Sequence, residues 1–184
     1  MTHEMVDLLD DNGNIIGKQS KKVAHQTGAW HKSIHIYLIN HKNEILLQLR
    51  TANKDIYPSV WDISVGGHVD AGEETVLTAG REMEEELGLK SSPEEFTFLT
   101  TTKEVLKTGK SISSEFVDAF LIRKNVTKKN IKMQECEVAD IKFVKLQDFF
   151  KMIERKDDLL FPHYEEYAKV LPVLKALADS KNNI

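Results

Sequence analysis

Three glutamates, Glu82, Glu85 and Glu86, stand at offsets i, i+3 and i+4. On a helix those offsets place all three carboxylates on one face. Like charges so placed weaken a helix by a few tenths of a kcal/mol per pair. A cation gathered among them reverses that sign. Carboxylate oxygens suit a hard divalent ion such as Mg2+, with Mn2+ as a substitute, held together with waters and substrate phosphates.

A glutamate-rich helix is ordinarily a solvated face. Here the opposite side argues for more. Val76, Gly80, Met83 and Leu87 recur at helical spacing and form an apolar stripe, roughly 130° from the acid face. Gly80 within that stripe costs about 1 kcal/mol against alanine, so close packing is expected to require it. Gly88 follows the last turn as a stop signal. Such a helix is clamped from behind, and its acids form a rigid set.

These residues sit in a longer pattern: Gly67, Glu73, Arg81-Glu82, Met83, Glu85-Glu86, Gly88 and Leu89. It resembles the signature box of the Nudix hydrolase superfamily, and every specified position is filled. The resemblance implies Mg2+ ligation by Glu82, Glu85 and Glu86, joined by the backbone carbonyl of Gly66. It implies that Arg81 orients the glutamates by ion pairing and that Glu73 is mainly structural. Family members use either a box glutamate or a distal acid as base. Outside the box Glu115, Glu135 and Glu137 are the candidates, with Glu115 preferred.

The flanks carry the likeness further. Arg50, Lys54, Tyr57-Pro58, Trp61 and the run from Ser64 to His68 are similar to the isopentenyl-diphosphate isomerase branch. There a matching arginine and lysine grip the substrate diphosphate, which implies that role for Arg50 and Lys54. His31 and His68 match metal-binding histidines of the isomerases, and His25 aligns with another only across a one-residue gap. The departures favour hydrolysis. Gly66 stands where the isomerase needs a cysteine, and Ser113 replaces the first of two acids on a strand whose second is Glu115. Cys136 is expected to be an ordinary thiol. The reading is therefore a hydrolase that cleaves a diphosphate bond in a nucleoside diphosphate linked to another group. Isopentenyl-diphosphate isomerase and a non-catalytic Nudix-type sensing module are the alternatives.

With 184 residues and a net charge of −4, the chain is expected to form one domain, from 1 to 184, with no nucleic-acid partner. One cysteine and no long apolar run fit a cytoplasmic protein without a membrane span. A homodimer is possible through the N-terminal hairpin, about residues 1–20, built on the Asn12-Gly13 turn. Strands are expected over 31–40, 44–50, 61–65, 96–105, 116–123 and 138–144. The box helix lies within 67–89, two further helices fall within about 146–180, and 181–184 fray. Strands with segregated helices indicate an α+β fold. The resemblance sharpens this to a mixed sheet sandwiched between helices. Trp30, Tyr57 and Trp61 could stack on a substrate ring or pack the core.

Overall fold

The computed structural model describes residues 4–54, 56–108 and 111–179. The expected frayed segment, 181–184, lies outside them. Among the described residues nine strands form a mixed sheet. In chain order they are β1 (Met5–Leu9), β2 (Ile15–Ser20), β3 (Trp30–Ile39), β4 (Glu44–Arg50), β5 (Trp61–Asp62), β6 (Val65–His68), β7 (Phe96–Thr108), β8 (Ser111–Arg123) and β9 (Val138–Lys145). The helices are α1 (Lys21–Thr27), α2 (Thr75–Leu87), α3 (Leu146–Glu154) and α4 (Tyr164–Asp179).

The sheet is organised around β3, which runs parallel to β8 and antiparallel to β1, β4 and β6. Its side chains alternate between two cores, as the period of two demands. Ile34, Ile36 and Leu38 face α2, where Ala79, Met83 and Leu87 bury the predicted apolar stripe. Tyr37 and Ile39 face α3 and α4, packing with Phe149, Phe150, Tyr167 and Leu174. The mixed sheet therefore lies between helices, and the fold is α+β as expected. Trp61 is partly buried against this second core.

The differences from the sequence reading have local causes. The expected strand over 61–65 is two short strands. Ser64 interrupts it because its hydroxyl accepts from Leu38 N and donates to Leu46 O, taking over backbone pairings. The strands expected over 96–105 and 116–123 continue into one hairpin, paired from Phe96↔Ile122 to Thr108↔Ser111. Helix α1 was not expected at all. Ser20 precedes it and Gly28 ends it in the left-handed region at φ 69°, a stop that only glycine adopts cheaply.

Gly80 also departs from expectation. A Cβ there would meet Ser91 O at 3.4 Å, an ordinary contact. The close approach is at Gly67, where a Cβ would lie 2.3 Å from Glu82 Cδ. The missing side chain on β6 is what lets the α2 acid reach the strand.

Candidate functional site

One cleft collects nearly every residue singled out in the sequence. Arg50, Lys54, Gly66, Gly67, His68, Glu82, Glu85, Glu86, Glu115 and Glu137 all line it, together with His25, Ser33 and His163. Glu135 and Cys136 are exposed and are not among its lining residues.

On the α2 side the three acids differ in exposure. Glu82 and Glu86 are buried, whereas the Glu85 side chain is 49% exposed. Burial, reinforced by the neighbouring Glu82 charge, pushes the Glu86 carboxyl well above the usual carboxylate range. Burial also raises Glu82, against the pull of Arg81. Glu86 Oε2 is buried with no hydrogen-bond partner among the described residues. Two buried carboxylates side by side, one oxygen unpaired, form an electrostatic deficit that a divalent cation fits.

Arg81 is spread across the set. Its Nη1 donates to Glu82 Oε1 at 2.8 Å and to Glu85 Oε2 at 3.4 Å. Its Nη2 donates to Glu73 Oε2 and to His68 O, both at 3.2 Å. Glu73 also accepts from Thr78 Oγ1 at 2.7 Å. One guanidinium thus ties the acids to β6, and Glu73 braces the start of α2.

Across the cleft three histidines converge. His25 Nε2 lies 3.3 Å from His31 Nε2 and 3.3 Å from His68 Nε2. Glu115 Oε1 is 3.6 Å from His68 Nε2, and the four ligand atoms lie within 4.8 Å of one another. Bonds of about 2.1 Å to a common ion place ligand nitrogens about 3.0–3.4 Å apart. His31 Nδ1 lies 2.9 Å from Ala29 O, an arrangement that puts the proton on Nδ1 and leaves Nε2 unprotonated. Burial, with the adjacent His68 and His31 rings, brings His25 down to about 4, so it too is neutral. Burial opposes ionisation of Glu115, yet the hydrogen bond and charge of His68, with His31, hold its carboxyl well below the ordinary value. Ser113 Oγ donates to Glu115 at 2.5 Å. Three imidazoles and a carboxylate fit a divalent ion of the transition series. His25 arrives on α1, the helix the sequence reading lacked. The Ser20 and Gly28 flanks were the signal that could have found it.

Arg50 and Lys54 line the cleft but are already engaged. Arg50 Nη1 donates to Asp62 at 3.1 Å, while Nε and Nη2 donate to Tyr57 O and Ile56 O. Two of the five guanidinium donors stay available. Lys54 pairs with Glu137.

The cleft floor holds a network the sequence reading missed entirely. His163, 3% exposed, lies 2.8 Å through Nδ1 from Glu104 Oε1 and 3.0 Å through Nε2 from Asp62 Oδ1. Burial would lower His163, but Glu104 and Asp62 raise it well above the ordinary histidine value. It is therefore a cation donating to both acids. Beside it His35 pairs with Glu166 at 2.8 Å, and Tyr37 donates to the same carboxylate at 2.5 Å. The His163 ring stacks on Phe161 at 4.1 Å. No spacing rule links residues 35, 62, 104, 163 and 166, so only the fold could reveal them.

With this geometry established, the comparisons are decisive. The NUDIX domain profile matches residues 29–171. The chain belongs to the Nudix family. It is 31% identical over 183 residues to Nudix hydrolase 3 of Arabidopsis thaliana, covering 95% of this chain but only 24% of that protein's length. It is 38% identical over 89 residues to an isopentenyl-diphosphate Delta-isomerase of Streptomyces griseus, covering 48% of this chain and 45% of that protein. A solved structure from Deinococcus radiodurans superposes with a TM-score of 0.64 at 19% identity, covering 83% of this chain and 90% of that one. Those two relatives are named as a Nudix hydrolase and an isopentenyl-diphosphate isomerase, and the solved structure shares this fold. Nudix enzymes generally use a divalent metal and act on small molecules. Among the described residues no helix is long and apolar enough to cross a membrane.

Proposed function

We propose that this chain is a Mg2+-dependent pyrophosphohydrolase that cleaves a diphosphate bond in a nucleoside diphosphate linked to another group. The observation that carries this reading is the buried Glu86 carboxylate, set beside Glu82 with one oxygen unpaired. Glu82, Glu85, Glu86 and the Gly66 carbonyl would hold the Mg2+, with Mn2+ as a substitute. When bound, that ion offsets phosphate charge and activates water for attack at phosphorus. Arg81 keeps Glu82 and Glu85 in register. Arg50 and Lys54 flank the diphosphate, and the Ser33 hydroxyl, buried without a partner among the described residues, is available to a phosphate oxygen. Glu115 is held too strongly ionised to serve well as a base and fits the histidine cluster as a ligand. The base then falls to a box glutamate, and Glu85 is the exposed one.

The histidine cluster favours a second reading for part of the cleft, an additional cation at His25, His31, His68 and Glu115. That feature belongs to the isomerase-like branch. The missing thiol weighs against isomerisation itself. A Cβ at Gly66 would already press on His35 Cδ2 at 3.3 Å, leaving little room for cysteine. A non-catalytic sensing module has no need of buried, unpaired box acids.

The test is phosphorus NMR of nucleotide sugars, dinucleoside polyphosphates, coenzyme A and isopentenyl diphosphate, each with Mg2+. Hydrolysis of at least one nucleoside diphosphate compound is expected. Glu85→Gln and Glu86→Gln are expected to lose most of it while staying folded. Near-wild-type turnover in both variants would remove the acid face from the chemistry.

A further inference from the structure

The histidine network forms the cleft wall away from the acids of α2. Glu104 and Glu115 are directly opposite one another on β7 and β8, so their side chains share the cleft-facing side of the sheet. Yet they are used differently. Glu115 is enclosed by the histidine cluster, whereas Glu104 binds His163 through Oε1 alone. Glu104 Oε2 is buried and has no partner among the described residues. The clamp from His163 fixes the carboxylate's orientation, so that oxygen is a preset acceptor.

We propose that Glu104 determines specificity for the group beyond the diphosphate, accepting a hydrogen bond from a neutral donor on it, a sugar hydroxyl or a nucleobase amino group. This rests on the hydrolase reading above. The donor should be neutral because the surrounding charges already balance: His163, His35 and Arg50 stand against Asp62, Glu104 and Glu166. Phe161, stacked on His163 and lining the same cleft, offers an apolar wall for a ring face. A hydrocarbon in that place would cover Glu104 Oε2 without bonding it, and a buried acceptor left unpaired is penalised. A site built around such an acceptor rejects analogues that lack the donor.

The variant that tests this is Glu104→Gln. Its amide oxygen can still accept from His163 Nδ1, while its amide nitrogen turns the free acceptor into a donor. Turnover and calorimetric binding would be compared for a nucleoside diphosphate sugar, a dinucleoside polyphosphate and isopentenyl diphosphate. For the compound the wild type prefers, kcat/KM is expected to fall about 10- to 100-fold, mainly through KM. Handling of isopentenyl diphosphate should not change. The two donor-bearing compounds separate a sugar hydroxyl from a base amino group as the source. An equal fall for all three compounds, or none, overturns the assignment and leaves a structural role. Binding that depends on Glu104 without any hydrolysis would instead overturn only the hydrolase reading. A melting curve for Glu104→Gln accompanies each comparison, and Glu104→Asp, which shortens the reach but keeps the charge, should recover part of the preference.

Discussion

The two ends of the cleft treat buried charge in opposite ways. On α2, Glu82 and Glu86 repel each other, and Glu86 keeps an oxygen unpaired. On the floor His163 is bonded at both ring nitrogens by acids, and His35 and Tyr37 share Glu166. Buried charge is costly unless paired. The floor offsets its charges within the chain, with Glu104 Oε2 left unpartnered among the described residues, whereas the helix defers the cost to something bound. Where a folded chain leaves such a cost standing, a ligand is the natural remedy.

Breaking the floor should have the largest effect on stability. His163→Ala leaves Glu104 without its cation and Asp62 with Arg50 alone, and removing one member of a buried pair typically costs about 3–5 kcal/mol. Chemical denaturation should show that loss near neutral pH. The pH dependence follows from the signs. His163 is raised in the fold, so its contribution is complete below about pH 6.5, its unfolded value, and fades as pH rises through the folded one. Asp62 is lowered, with burial opposing and His163 and Arg50 prevailing. Its contribution is present above about pH 4 and fades as pH falls. The gap between wild type and His163→Ala should therefore narrow in both strong acid and strong alkali. A gap that stays constant across pH would mean that the network is not ionic.

Gly67→Ala should come next. Its Cβ would overlap Glu82, at about 1–3 kcal/mol for overpacking. Activity should fall about 100-fold, because a 1 Å misplacement can cost that much. Wild-type turnover in Gly67→Ala would show that α2 need not lie so close to β6. Glu86→Gln should move the other way in metal-free protein, raising the melting temperature by a few degrees because like charges no longer face each other. Added Mg2+ should then stabilise the wild type more than the variant, as read by calorimetric melting. At the bottom of the scale, Glu84→Ala removes an exposed pair with Lys90 and should change stability by under about 0.5 kcal/mol. A larger change there would undercut the contrast between buried and solvated acid.

The sequence was most legible where chemistry and periodicity coincide. Met83 and Leu87 behind Glu82 and Glu86 follow the helical repeat, so one stretch of chain encoded both the packing and the acid face. The strand faces were readable for the same reason: Ile34, Ile36 and Leu38 alternate with polar or second-core positions. The failures share another cause. Helix α1 is short and buries Ala24 alone, so no apolar stripe marks it, and His25 stood unplaced between Ser20 and Gly28. Gly80 looked indispensable by helix propensity, yet Gly67 proved to be the tight spot, because only tertiary packing sets the distance from β6 to α2. Arg50 matched a diphosphate grip by type and place, whereas its bonds to Asp62, Ile56 and Tyr57 depend on how the 51–60 loop folds back.

The histidine cluster draws on α1, β3, β6 and β8, so its members come from positions as far apart as 25 and 115. An occupant at that crossing would act as a rivet, closing long loops that the bare chain closes only by packing. The firmness of the N-terminal third would then track ambient cation supply by mass action, and a chelator would loosen α1 before it disturbed the sheet.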